Sequence, residues 1–356
     1  MRIGIDAREL CGRATGVGRY LSGLLREWAQ DAGAQRHRFV LYAPAPTGFE
    51  SSYDVHRVAG APGTFWEQIR LPAAIGADRL DVFFAPGYTA PLALPVPLIV
   101  TIHDLSFIAH PEWFRVRERL RRSWLTRRAA RRARAILTVS EFSRREVIDR
   151  FHIPGDRIHV IPHGSSPPLS GGTARRHDPV VLFVGSIFNR RRVPDLIRAF
   201  APIARARTDA SLEIVGDDRT YPRQDLRRVI AAENLDGRVR WHAYVADAEL
   251  RALYEKARAF AFLSEYEGFG LTPIEALAAG VPPVLLDTPV ARETCGQAAL
   301  YVPAGDISAT TSALERVLFD AEVRARILSA APAVLARFSW PDAARRTLRI
   351  LESVES

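Results

Sequence analysis

Sulfur is scarce in this chain and lysine scarcer. Cys11 and Cys295 are the two cysteines among 356 residues. So distant a pair offers no disulfide framework and no metal-ligand spacing, and a cytoplasmic setting is the default expectation. No apolar run reaches the length of a bilayer-crossing helix, and the N-terminus reads as a strand instead of a signal peptide. There is no zinc-finger or RNP signature, so nucleic acid is not an expected partner and rests on charge alone. Lys256 is the single lysine, so the positive charge is carried by arginine: 49 Lys and Arg against 40 Asp and Glu, a formal +9. That balance favours anionic partners such as nucleotide diphosphates or anionic lipid.

Apolar residues make up 47% of the chain, ample for real cores, and the length suggests two domains. Strand-like runs are predicted at 2–6, 39–42, 55–58, 82–85, 98–102, 135–140 and 157–162. After a break they resume at 180–184, 212–215, 239–242, 259–263 and 281–286. Helical spacing falls between them, as at 65–75 and 194–206. This alternation predicts α/β domains with parallel sheets covered by helices on both faces. The break, 165–178, is rich in Ser, Pro and Gly and reads as a linker. It separates a domain at 1–164 from a second at 179–338. Ser339 then caps a last helix, 339–356.

The stretch that organises the chemistry runs from Glu265 to Gly280. A strand feeds a Gly-rich turn, and a short helix follows. Glu267 and Glu275 bracket the turn with seven residues between them. Gly268 and Gly270 allow backbone N–H groups close to a ligand, with Phe269 and Leu271 beside them. The helix N-terminus favours an anion such as a diphosphate. Donors for phosphate and acceptors for hydroxyls in one loop fit a nucleotide-sugar. A second reading of Thr272-Pro273-Ile274-Glu275 is a capping box, with Pro opening the helix and Glu275 as its reciprocal cap.

Four other places stand out. Thr15-Gly16-Val17-Gly18-Arg19-Tyr20 forms a glycine turn after the first strand. The third glycine of a dinucleotide fingerprint would fall on Leu21, so that match fails. His103 follows the strand at 98–102, where ligands of parallel sheets collect. Asn189-Arg190-Arg191-Arg192 follows Gly185-Ser186 at the end of another strand and reads either as a solvated charge run or as an anion clamp. Between 115 and 134 about ten arginines face one glutamate. Trp113, Val116, Leu120 and Trp124 share one helical face. The plain expectation is that this face packs on the sheet. The sharper one is a foot on an anionic membrane surface through 113–134.

The Glu265–Gly280 stretch resembles the E-x7-E motif of retaining glycosyltransferases of family 4. That family has the GT-B fold, with two Rossmann-like, doubly wound parallel-sheet domains facing across a cleft. TIHDLSFIAHPEWF, TVSEFSRREV and IHVIPHG are similar to landmarks of the family's first domain. GSIFNRRR is similar to its G-T-x-x-x-R-K-N element, with Arg191 where Lys is usual. Tyr244-Val245-Ala246-Asp247 resembles the G-Y-V-S-D loop, and Glu293 sits in a variant of P-E-V-x-G-x-A-A.

The resemblance implies roles. Glu267 and His103 lie near the transferred sugar, and Glu275 accepts from the nucleotide ribose. Arg190 and Arg191 neutralise the donor diphosphate. Gly16, Gly18, Gly185, Ser186 and the backbone at Val245 contact the donor. His110 and Glu112 are structural or acceptor-side. No metal and no cofactor are implied. The expected activity is metal-independent, retaining transfer of a hexose, with GDP-mannose or a related donor favoured. The acceptor would be a saccharide or lipid-linked saccharide of surface polysaccharide synthesis, and the enzyme cytoplasmic or peripheral on the inner leaflet. The alternative is an inactive nucleotide-sugar binder of the same fold.

Overall fold

The computed structural model describes residues 1–12, 16–165 and 178–354. Thr15 and the body of the expected linker, 166–177, lie outside them. The chain divides into two compact units. The first comprises Met1–Ala109, Val116–Gly164 and Phe338–Ser356, and the second His110–Arg115 and Ser165–Arg337.

The first unit runs β1 (Arg2–Asp6), α1 (Gly16–Gln30), β2 (Arg38–Ala43), β3 (Asp54–Arg57), α2 (Leu71–Gly76), β4 (Val82–Ala85), β5 (Leu98–Thr101), α3 (Ser106–Ala109), α4 (Val116–Arg132), β6 (Ala135–Thr138), α5 (Glu141–Phe151) and β7 (Ile158–Val160). The second runs β8 (Val180–Val184), α6 (Val193–Ala206), β9 (Ser211–Val215), α7 (Leu226–Ala232), β10 (Val239–His242), α8 (Asp247–Lys256), β11 (Ala259–Phe262), α9 (Leu271–Ala278), β12 (Pro283–Leu286), α10 (Pro289–Cys295), β13 (Leu300–Val302), α11 (Ile307–Phe319) and α12 (Ala321–Leu335). The last helix, α13 (Trp340–Ser353), belongs to the first unit.

Among the described residues each unit has one parallel sheet. The orders are β3-β2-β1-β4-β5-β6-β7 and β10-β9-β8-β11-β12-β13. Both orders reverse beside their first strand, between β1 and β4 and between β8 and β11. In such sheets the crevice outside the carboxyl ends at that reversal is where ligands bind. The register is continuous there: Ile3 pairs with Phe39 on one side and Val82 on the other. Strands β4, β5, β6, β8, β11 and β12 are buried along their whole length. Their unbroken apolar sequences, such as VVLFV, are what a sheet covered on both faces requires.

Helix α1 buries Tyr20, Leu21, Leu24, Leu25 and Trp28, and α13 packs against it in the same core with Leu348 and Leu351. The Trp28 indole donates to Ala344 O at 3.0 Å. Trp340 sits so close to Gly164 that a Cβ there would lie 2.2 Å from its ring and 2.4 Å from its backbone nitrogen. Ser339 caps α13 by accepting from Asp342 N, and Ser140 caps α5 by accepting from Ser143 N.

Several local expectations need correction. Gly16 and Gly18 lie in the first turn of α1 instead of a turn before it. The helix expected at 65–75 is present, but its first part is a π-helical turn, Trp66–Arg70, that runs into α2. Trp113 is in a 3-10 turn that precedes α4, stacked on His110 with ring centroids 3.9 Å apart. The stripe Val116, Leu120, Trp124 does not pack on the sheet. It is exposed, and α4 instead buries Leu125, Thr126, Ala129 and Ala130.

Candidate active site

Two loops of the second unit converge at the reversal of its sheet. After β8 come Gly185, Ser186 and a 3-10 turn, Asn189–Arg191. After β11 come Ser264 to Gly270, and then α9. Arg191 Nε donates to Glu267 Oε1 at 3.0 Å, and its Nη1 donates to Ser186 O at 2.7 Å. Ser264 Oγ donates to the same Glu267 oxygen at 2.8 Å. Arg190 Nε stands 3.7 Å from it. The side chains of Arg190, Arg191 and Glu267 are only 11%, 13% and 15% exposed. Gly185 makes the fit feasible, because a Cβ there would come within 2.5 Å of Arg191 Nη1.

Burial pushes the Glu267 carboxyl up. The charges of Arg191 and Arg190, with hydrogen bonds from Arg191 and Ser264, outweigh it and hold the carboxyl below its ordinary 4.5. Glu267 is therefore ionised at neutral pH. Two guanidinium groups face this one carboxylate, so the cluster keeps a surplus positive charge. Arg190 Nε is buried without a hydrogen-bond partner among the described residues. Its guanidinium lies 4.4 Å from the centre of the Phe188 ring. Such an orphaned donor costs free energy until a ligand accepts from it.

Arg192 turns elsewhere. Its backbone is left-handed (φ 46°), and its side chain bonds Asp195 and Glu265. Of the three adjacent arginines, the fold brings Arg190 and Arg191 to Glu267 and ties Arg192 to Glu265 and Asp195.

Gly270 holds the N-cap of α9 at φ 87°, a conformation that favours glycine, and no side chain caps the helix. Thr272 lies inside the first turn, so the capping-box reading fails. Its Oγ1 is buried without a hydrogen-bond partner among the described residues. The N-terminus of α9 is thus without a side-chain cap, an arrangement that suits an anion. Glu275 is half-buried one turn on, where it accepts from the Tyr254 hydroxyl at 3.5 Å. Phe269 and Gly268 are buried beside the turn, Leu271 is half-buried, and Val245 is buried in the loop before α8.

In the first unit His103 lies just beyond β5, buried. Its Nε2 pairs with Pro86 O at 2.8 Å. A carbonyl can only accept, so Nε2 carries the proton. Burial lowers its basicity, and the ring is neutral. The His163 ring stacks on it at 5.4 Å, and Tyr20 meets both rings edge-on at 5.0 and 4.9 Å. His163 in turn lies 6.1 Å from Trp340 of α13. The neighbouring Asp104 accepts from the Tyr88 hydroxyl and from Ser106 N.

Residues 14–167 match the family described as Glycosyltransferase Family 4, and residues 172–334 match Glycosyl transferases group 1. The chain belongs to glycosyltransferase family 4.

Relatives of this glycosyltransferase carry modest identity over much of its length. It is 27% identical to the O-antigen chain mannosyltransferase B of Escherichia coli, over 75% of this chain and 73% of that protein. It is 26% identical to the MMP alpha-(1->4)-mannosyltransferase of Mycolicibacterium hassiacum, over 87% and 81%. The fold is GT-B, shared with solved structures. One of these, Anabaena HepE in complex with UDP and glucose, superposes with a TM-score of 0.79 at 21% identity, covering 99% of this chain and all of that one.

Reading the glycosyltransferase from sequence missed several partners. Ser264 and Tyr254 orient the two glutamates, Glu265 and Asp195 hold Arg192, and His163 packs His103. The signal for Ser264 was available, since it ends the run that leaves β11. His163 stands in the IHVIPHG segment, but nothing local tied it to His103, because that contact spans 60 residues. Gly16 and Gly18 are placed at the start of α1. His110 pairs with Glu112 at 3.1 Å. Glu293 lies on α10, and its backbone carbonyl accepts from Arg337.

Proposed function

We propose that this glycosyltransferase moves a hexose, mannose or a related sugar, from a nucleoside diphosphate donor to a saccharide or lipid-linked saccharide. Transfer proceeds with retention and without a metal ion, in surface polysaccharide synthesis at the inner face of the plasma membrane. The observation that carries the reading is the buried Glu267–Arg191–Arg190 cluster beside an uncapped helix N-terminus. When the glycosidic bond to the diphosphate breaks, negative charge grows on the leaving phosphate. Fixed positive groups in a dry site stabilise that charge without reorganising. Arg190 offers an unused donor, Arg191 a buried guanidinium, and α9 its free N–H groups. On this reading the arginines do the work that a metal does in other transferases.

Glu267 stays ionised and holds the sugar side of the site, while Glu275 takes the ribose hydroxyls. His103, neutral and with its Nε2 proton committed to Pro86, is assigned to the transferred sugar as a shape-setting group and not as an acid. Retention and the saccharide acceptor are carried over from the resemblance to the family's motifs. Mannose is favoured by the names of both relatives, and surface polysaccharide by that of the E. coli one.

A thermal-shift panel with GDP, UDP, ADP and dTDP tests the donor, because a ligand of the native state alone raises the melting point. The proposal expects GDP to give the largest shift, followed by hydrolysis or transfer from GDP-mannose. A shift with UDP alone would overturn the donor assignment. Absence of turnover with every nucleotide-sugar would overturn the enzymatic one.

A further inference from the structure

Five of the exposed large apolar side chains come from two neighbouring segments of the first unit: Phe65 (64% exposed), Ile69 (57%), Val116 (62%), Leu120 (56%) and Trp124 (54%). Each set is spaced by four residues, so each forms one ridge. An Arg121 side chain bonded to Thr64 joins the ridges. The first half of α4, Val116 to Trp124, has no buried residue at all. Among the described residues nothing covers this face, although exposing five large apolar groups together is unfavourable in water.

The charge around the ridges selects the occupant. Helix α4 carries eight arginines and one glutamate. The Arg128 guanidinium lies 5.4 Å over Trp124 and that of Arg70 5.7 Å over Phe65, so cations rim both aromatic rings. Arg131 is seven residues on from Trp124 and continues the same side of α4. There a cleft of about 560 Å³ is lined by Arg131, Arg132, Arg134 and Arg157. A second copy of the chain would bring its own arginines against these and be repelled. An anionic bilayer supplies both what the ridges lack and what the arginines attract.

We infer that the Phe65–Ile69 and Val116–Trp124 ridges insert together into an anionic phospholipid surface, with the α4 arginines at headgroup level. The inference deepens the proposal of a lipid-linked acceptor by naming the surface that meets the membrane. It does not depend on which sugar is moved.

The test is co-sedimentation of the full chain with vesicles of phosphatidylcholine alone or with about a third phosphatidylglycerol. The wild type is expected to pellet with the anionic vesicles and not with the neutral ones. Phe65→Ser/Leu120→Ser/Trp124→Ser removes the ridges and keeps every charge. Arg117→Gln/Arg128→Gln/Arg131→Gln does the reverse. Each triple variant is expected to weaken binding by about tenfold or more, and high salt should remove the electrostatic share of binding from the wild type and the apolar variant alike. Nucleotide binding and donor hydrolysis without lipid, measured on the same preparations, report on the fold and on the transferase reading separately. Failure of the wild type to pellet at low salt would overturn the inference. So would undiminished binding by the apolar variant, or light scattering that shows a dimer which the apolar variant dissociates.

Discussion

Glu267 is the residue on which the proposed chemistry turns. It is buried, ionised and shared among Ser264, Arg191 and Arg190, so each neighbour has a separable consequence. Glu267→Ala should mainly lower kcat. Glu275→Ala, at a half-buried carboxylate bonded only loosely to Tyr254, should mainly raise KM for the donor. Arg191→Ala should cost on the order of tenfold to a thousandfold in turnover if it faces the growing charge. It also leaves Glu267 with one cation fewer. Steady-state kinetics on the three variants checks the set, and wild-type behaviour in all three would remove the site assignment.

The paired histidines set a second expectation at this scale. Burial holds His103 below the ordinary 6.5, and burial with the neighbouring His103 holds His163 well below it. The unfolded chain therefore binds more protons than the folded one once the pH drops below about 6.5. The stability of this region is full at neutral pH and is lost as the pH falls from there towards the depressed folded values. Urea midpoints should decline between about pH 7 and pH 5, and His163→Phe should flatten that decline. Glu267 acts in another window. Its lowered value contributes above about 4.5 and is lost only in stronger acid.

At the scale of elements, close backbone approach decides what can be changed. Helix α13 is seated by Trp340 against Gly164, where added bulk meets backbone as well as ring. Gly164→Ala should cost about 1–3 kcal/mol through overpacking, read as a lower unfolding midpoint and a changed Trp340 fluorescence. Gly270 differs, since a Cβ there meets only Pro273 at 3.9 Å. Its constraint is the φ of 87°, so Gly270→Ala should strain the start of α9 by roughly 1 kcal/mol. The larger effect should fall on donor affinity, because that residue is the N-cap of α9. A donor titration of the variant separates the two effects.

For the molecule as a whole, most strands and the ligand ends of both sheets were legible in the sequence. Buried parallel strands carry continuous apolar runs, and strand order follows from short, handed connections. Glu267, Glu275 and the arginine run stood out as candidates because a loop suited to an anion needs particular residue types in local order. What the chain could not disclose locally was which face of α4 is covered. The stripe 116, 120, 124 has helical spacing whether it meets a sheet or a membrane. Only the packing of Leu125, Ala129 and Ala130 shows that the sheet takes the other face.

The sequence alone thus determined the two parallel α/β sheets and the residue types at the site, since both are written in periodicity and local chemistry. Tertiary structure decided that Arg191 and not Arg192 meets Glu267, that His163 backs His103, and that Gly270 leaves α9 uncapped. Those outcomes depend on distances between residues remote in the chain, or on one backbone angle, and neither leaves a trace in spacing.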